Sequence, residues 1–555
     1  MHISRRSFLH VVSGFTAASA LSDPVLAGLD RTVRRAEAGT TAGGVVPTLS
    51  YWIPNWPDQI EISNQVTAAW QKLGLTVEVQ QGTLDTWTAQ IVGEHKMPHL
   101  GAMSWGGAPD RLEPDYFLTE FLYSKRTAKG GLNYGNYSNP KYDQLIEAQR
   151  QEMDPAKRQK LVWEAQATSA ADNPSIILLH RDYVQAYNTA RFEGVVPVLG
   201  SGIAMPYIPW SYFKMKAKTA RKLVKVTSIY DIHTLNPFAT PEVHNSTLLR
   251  WIYPPFVIRD ENTNISPWAA ESWKVVNPTT VEVVLRDGMK FHDGKPVTVD
   301  DAKFTFDYIL QHKFPALSRV PDSVEAVEVA DKRTLRFRLK APFAPFVASV
   351  LGFTFIAPKH IWEKVGAGLK TPADWPNDQP IGSGAFSFGE WKKGEYLFLK
   401  ANKAHWMPPQ IDGVYWLPIP SLDNQIGMLE RGEADLLGWN VDLKQAERIS
   451  QNKDLKVVRS ATHGVHEIRM NTAMPPTSDP KLRLALSTAV DRKQISEIVF
   501  GGAATVAGNT FITPLSKPWN NPNVPNPAPS IEKAREILKA AGYTWNAEGK
   551  LVYPK

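Results

Sequence analysis

Near its start the chain writes a strand, a helix and a second strand in immediate succession, and that order admits few folds. Residues 49–53 (LSYWI) read as a short apolar strand. Ile60, Ile62, Val66, Trp70 and Leu73 then recur at helical spacing, and Gly74 closes the helix as a C-terminal cap. Residues 75–79 alternate apolar and polar side chains as the next strand. Two strands joined through a helix lie parallel, and parallel strands need covered faces, so the fold class is α/β.

The same grammar continues downstream. Asp154-Pro155 starts a helix that runs to about Ala171, and residues 175–179 form a buried strand. Residues 216–222 (KAKTARK) are a short basic joint poor in apolar side chains. Residues 281–285 and 334–339 alternate as strands. Asp293-Gly294 makes a turn, and residues 298–301 (TVDD) cap a helix carrying Val299, Ala302, Phe306, Ile309 and Leu310. Asp479, Asp491 and Ser530 open three more helices, the last stopping at Gly542. Residues 543–553 then start a strand around a Glu548-Gly549 turn, with nothing downstream to pair with it.

Composition sets the outer limits. A chain of 555 residues, 43% hydrophobic and 21% charged, has material for two or three domains with large cores. Lys and Arg outnumber Asp and Glu by 62 to 55, and the basic residues are scattered, which argues against nucleic acid as a partner. The chain has no cysteine, which excludes disulfides, iron–sulfur clusters, thiolate zinc sites, a cysteine nucleophile and a lipid-modified N-terminal cysteine. Residues 1–27 read as an export leader: Arg5-Arg6 sits in a twin-arginine-like motif (SRRSFL), a weakly apolar stretch follows, and Val25-Leu26-Ala27 is a small-residue cleavage end. Residues 28–46 read as a disordered spacer. No later run approaches the ~18 apolar residues needed to span a bilayer. The expectation is an exported, periplasmic, soluble protein without a lipid anchor.

Residues 266–310 (SPWAAESWKVVNPTTVEVVLRDGMKFHDGKPVTVDDAKFTFDYIL) carry a long motif: Ala-Glu-Ser-Trp, an alternating strand, a basic-Asp-Gly turn, Phe-His-Asp-Gly and a Thr-capped helix. It continues in residues 380–391 (PIGSGAFSFGEW), 429–436 (LERGEADL) and 471–491. This pattern resembles the family 5 solute-binding proteins of ATP-binding-cassette (ABC) importers, the dipeptide, oligopeptide, nickel and opine binding group. Residues 105–118 (WGGAPDRLEPDYFL) and 137–145 (YSNPKYDQL) resemble segments that in the family follow the helix found here at 531–541. The chain therefore looks circularly permuted, the usual order being 221–555 followed by 47–215. The resemblance implies a two-lobed periplasmic-binding-protein fold of type II, in its large class with an extra subdomain. It places the lobe crossings near Met470-Asn471 and Tyr187-Asn188. The second lobe is then 47–187 plus 471–555, and the first lobe is 188–470 with the joint 216–222 inside it.

The resemblance also implies ligand-binding positions. Asp110 matches the carboxylate that peptide binders set against a ligand's α-amino group, with two extra residues between it and Trp105. Trp105 and Trp87 match positions that line the pocket. Ala102 stands where oligopeptide binders can carry an Arg for the ligand's carboxylate. His466, like His463, lies on a strand leading to the hinge, where alternation would turn one of them into the cleft. His95 and His99 would align on a helix, but Pro98 breaks it, so no metal site is expected.

The expected function is a monomeric receptor that captures a peptide, opine or oligosaccharide and delivers it to the transmembrane subunits of an ABC permease. No cofactor, metal or catalysis is expected: the chain has no HExxH, GxSxG or P-loop sequence. Two alternatives stay open. A glycosidase needs no local signature for its two carboxylates, and the order of segments also suits a non-functional fusion of two partial copies.

Overall fold

The computed structural model describes residues 42–240, 242–526 and 528–555. The leader and residues 28–41 of the expected spacer lie outside the described residues. Two sheets organise the fold. The first has six strands, in the order Val77–Gly82, Leu49–Pro54, Leu100–Trp105, Val465–Met470, Ser175–Arg181 and Ala504–Val506. The strand–helix–strand unit appears as expected: Leu49 to Pro54 pairs in parallel with Val77 to Gly82, through the helix Pro57–Gln71. The strand Val465–Met470 enters the middle of this sheet, antiparallel to Leu100–Trp105 on one side and to Ser175–Arg181 on the other.

Chain segments far apart in sequence therefore share one core. Trp70 is fully buried and its indole N–H donates to the Leu486 carbonyl at 3.0 Å. Ile62 and Val66 pack in the same cluster as Leu482, Ile495, Leu538 and Leu551. The helices Pro480–Thr488, Arg492–Phe500 and Ile531–Ala540 are capped by Asp479, Asp491 and Ser530, whose side chains each accept a backbone N–H of the first turn.

The ends of the described chain depart from two sequence expectations. Residues 42–46 are not part of a disordered spacer: Val46 is buried, Val45 bridges to Val552, and the Val46 N–H donates to the Leu551 carbonyl at 2.8 Å. Nor is the last strand unpaired. Thr544–Trp545 and Leu551–Val552 form a hairpin, and the Tyr553 N–H donates to the Gly44 carbonyl. Backbone donors at a chain end are satisfied wherever another strand reaches them, and here that strand is encoded before residue 47.

The second sheet has seven strands, in the order Phe386–Lys392, Tyr396–Ala401, Gly413–Pro418, Leu223–Ser228, Leu436–Leu437, Tyr183–Asn188 and Leu455–Ser460. A separate four-stranded antiparallel sheet, Ala270–Asn277, Thr280–Leu285, Thr334–Leu339 and Val324–Val329, forms a subdomain beside it. Its helix Val299–His312 carries a full capping box between Thr298 and Asp301. The joint at 216–222 is pinned rather than slack: Lys216–Ala217 pairs with Phe192–Glu193, and Arg221 joins Arg191 on the fully buried Asp435, at 3.0 and 2.6 Å.

The chain passes between the two large sheets at Asp182 and at residues 461–464, ahead of both positions the resemblance implies. The expected boundaries at 187–188 and 470–471 are corrected accordingly. The strand Tyr183–Asn188 belongs wholly to the seven-stranded sheet and Val465–Met470 wholly to the six-stranded one. At this hinge the backbones nearly touch. Gly200 has φ +77°, and a Cβ there would stand 2.0 Å from the His463 ring and 2.9 Å from the Gly107 carbonyl oxygen. Gly200→Ala is expected to cost about 2 kcal/mol or more, because strain and overlap add. The shift of the urea-denaturation midpoint measures it.

Candidate functional site

The turn Pro109–Leu112 follows the strand Leu100–Trp105 and carries Asp110 out of the six-stranded lobe toward the other one. Across the gap stands Arg319, at the start of the helix Arg319–Ser323. Its guanidinium reaches Asp110 Oδ2 at 3.4 Å, and Oδ2 is the one carboxylate oxygen of Asp110 with a hydrogen bond among the described residues. Two cavities meet at this pair. One, of about 290 Å³, is lined by Asp110, Arg111 and Tyr116 from one lobe and by Arg250, Arg319 and Phe353 from the other. The second, of about 450 Å³, shares Asp110, Tyr116 and Arg319 and runs on past Glu113, Glu120 and Arg150. Far from the hinge the lobes touch again: the Ala344 N–H donates to the Arg150 carbonyl at 2.7 Å, and the Arg150 guanidinium lies over the Phe343 ring.

The sequence-derived residues divide. Asp110 lines both cavities. Trp105 is half-buried and lines neither of them; it stands one layer behind, under the Arg111 guanidinium at 5.7 Å. Its indole N–H donates to Glu467 at 3.0 Å and its ring packs on Phe121. Trp87 is corrected from pocket wall to core: it is 1% exposed, in a cluster with Trp52, Ile91 and Met103, edge-on to Tyr134. His466 is likewise corrected. It is buried beside Phe500, with its Nδ1 accepting from Gln59 and its Nε2 at 3.3 Å from Ser104 Oγ. A strand buried on both faces has no cleft side, so alternation alone could not have placed this imidazole.

His463 sits in the crossing itself, buried, with Nε2 donating to the Ala108 carbonyl at 2.8 Å. Burial pulls its pKa down to about 3, and those of His466 and His180 down to about 4. Each imidazole is thus neutral when folded, and an unfolded chain takes up the protons more readily. Stability is therefore expected to fall as the pH drops from about 6.5 toward about 4. Urea midpoints measured across that range check it, and His466→Gln should flatten the slope. No group of three or more His, Asp or Glu side chains is placed to hold a metal among the described residues. None of their helices is long and apolar enough to cross a membrane.

Sequence reasoning missed the arginines of the opposite wall, Arg250 and Arg319. Nothing local marks them, since each is a basic residue at a helix end. It also missed the buried pair Glu467–Arg469, both fully inaccessible. Its signal was present: two charged residues at alternate positions of a strand (VHEIRM) whose every residue is buried.

A two-lobed α/β chain with a cleft between the lobes and two backbone crossings behind it has the architecture of a solute-binding protein. The family model for bacterial extracellular solute-binding proteins, family 5 middle region, matches residues 264–554, and the chain belongs to this family. It is 30% identical over 327 residues to the oligopeptide-binding protein AppA of Bacillus subtilis, covering 57% of this chain and 59% of that one. It is 28% identical over 334 residues to the glutathione-binding protein GsiB of Escherichia coli (strain K12), covering 58% and 62%. The chain thus spans about three-fifths of the length of these relatives. Among solved structures, NikZ from Campylobacter jejuni in complex with Ni(L-His) is matched at TM-score 0.49 and 23% identity, over 60% of this chain and 66% of that one. AppA from Bacillus subtilis with a nonapeptide is matched at TM-score 0.46 and 27% identity, over 59% and 66%.

Proposed function

We propose that this chain is the exported receptor of an ABC importer, holding a peptide-like or other amine-bearing solute between its lobes and delivering it to a membrane permease. The observation that carries this reading is the cleft itself: Asp110 from one lobe faces Arg319 from the other, at the junction of two cavities of about 290 and 450 Å³, room for a small solute. A solute seated there touches both lobes, so binding favours the closed arrangement by hinge motion. The named binding functions of the relatives, oligopeptide and glutathione, point to the same class of solute. A thermal-shift screen of di- and oligopeptides, opines, oligosaccharides and Ni²⁺ tests the reading, because a solute that prefers the folded form raises the melting point. A receptor should bind about one solute per chain and release it chemically unchanged. Conversion of the bound compound would make the protein an enzyme instead.

The circular permutation belongs to the same proposal. Four strands of the six-stranded sheet come from residues 49–181 and two from residues 465–506, while the family model matches only the later part of the chain. The Gly43 N–H donates to the Pro554 carbonyl, so residues at the two ends of the described fold are neighbours. A protein rebuilt in the order 221–555 then 47–215 should fold with the same cooperative melt. Failure to fold would count against the permutation.

A further inference from the structure

We infer that the four-stranded subdomain is the closing element of the cleft: its loop 341–346 is a latch that holds the two lobes shut at the mouth before any solute is bound. The inference goes beyond the receptor reading, because such a latch gates the cleft whatever the cleft takes.

The loop is built to keep one shape. It follows the strand Thr334–Leu339 and reads Ala-Pro-Phe-Ala-Pro-Phe. Pro342 and Pro345 each fix a backbone φ, so little freedom is left to lose on docking. The Phe346 N–H donates to the Phe343 carbonyl at 3.0 Å and closes a turn. Phe346 itself is buried, with its ring centroid 5.4 Å from that of Phe337 in the same subdomain. The loop is thus anchored at its far end, and the half-buried Phe343 and Ala344 project from it.

The receiving surface belongs to the six-stranded lobe. Arg150 stands in the last turn of the helix Pro140–Gln151, where carbonyls have no partner within the helix. The Ala344 N–H satisfies the Arg150 carbonyl at 2.7 Å. The Arg150 guanidinium is steadied on its own lobe by Asp115, 3.3 Å away, and lies 5.0 Å from the centroid of the Phe343 ring. A backbone hydrogen bond and a cation–ring contact therefore meet on one residue across the gap.

Position gives this contact leverage. The same subdomain supplies Arg319, whose helix Arg319–Ser323 runs into the strand Val324–Val329. Arg319 reaches Asp110 and lies over the Tyr116 ring at 5.6 Å. The 450 Å³ cavity is lined by residues of both contacts, Asp110, Tyr116 and Arg319 from one and Arg150 and Phe343 from the other. On the turn that carries Asp110, Leu112 is buried in the apolar core of the opposite lobe. When lobes rotate about their crossings, displacement grows with distance from the hinge. A contact at the mouth is therefore the first to part, and it guards entry.

The test exploits the absence of cysteine from the sequence. Cysteines introduced at the exposed Lys157 and Glu325 place one nitroxide label in the six-stranded lobe and one in the subdomain. Double electron–electron resonance then reads the separation on the full chain with no solute added, its cleft verified empty by mass spectrometry of the denatured protein. The parent chain is expected to give one short distance. Phe343→Ala removes the ring, and Ala344→Pro removes the N–H at a turn position that suits proline. Each should lower the ratio of closed to open chains about fivefold or more, seen as a second, longer distance. Phe343→Tyr keeps the ring and should match the parent. A parent chain already mostly open would overturn the inference, and so would parent-like distances in both Phe343→Ala and Ala344→Pro. No solute takes part, so either outcome leaves the receptor reading to the thermal-shift screen.

Discussion

Replacing Arg469 by methionine is expected to cost the fold about 3–5 kcal/mol, enough to bring a protein of ordinary stability near unfolding. Arg469 and Glu467 are fully buried neighbours on the central strand Val465–Met470, with Arg469 Nη2 on Glu467 Oε1 at 2.8 Å and Nε on Oε2 at 2.9 Å. The carboxylate also accepts from the Trp105 indole and the Tyr134 hydroxyl, both at 3.0 Å, and Arg469 donates to the Phe121 carbonyl at 2.7 Å. Three rings, Phe121, Tyr134 and Phe511, surround the guanidinium. The pair therefore ties the late strand to three early segments of the chain. Removing the cation leaves a carboxylate in a site closed to water, the costly half of a broken pair. Urea denaturation followed by intrinsic tryptophan fluorescence measures the loss. The double replacement of Glu467 and Arg469 by methionine should recover much of it, because no charge is then stranded. A loss under about 1 kcal/mol in the single variant would show that the network does not hold the lobe together.

Asp110→Ala is expected to weaken an amine-bearing solute by about 2–4 kcal/mol, on the order of a 30- to 1,000-fold rise in Kd. The carboxylate is 18% exposed at the mouth of the cleft, and Arg319 engages one of its two oxygens, at a distance longer than a strong charged hydrogen bond. A solute ammonium can take the other oxygen. Without the carboxylate that ammonium would be buried beside arginines and repelled. Calorimetry with the tightest-binding solute of the screen reads the effect, with Asp110→Asn as the variant that keeps shape and removes charge. Unchanged affinity in both would take Asp110 out of the site.

Local structure was legible before any coordinates. The strand Thr334–Leu339 has the bounds its alternation implies, and the caps at Thr298, Asp479, Asp491 and Ser530 open the helices their residue types suggest. These features depend on neighbours within a few positions, so the period of apolar residues and the chemistry of one capping side chain suffice. The family resemblance was legible for a similar reason, since a turn, a strand and a cap in fixed order leave a fixed string.

The cleft was not legible in this way. Trp87 and Trp105 are chemically alike, yet one is core and the other half-buried behind Arg111, because their surroundings are supplied by Tyr134 in one case and Glu467 in the other. His466 and Arg250 divide likewise: a histidine expected in the cleft is sealed under Phe500, and an arginine with no local signature faces the cavity. The order of residues alone determined the α/β elements and the family. The tertiary structure decided which charges are buried and which of them pair, because burial and Coulomb interactions sum over every segment that folds into the same space, however distant along the chain.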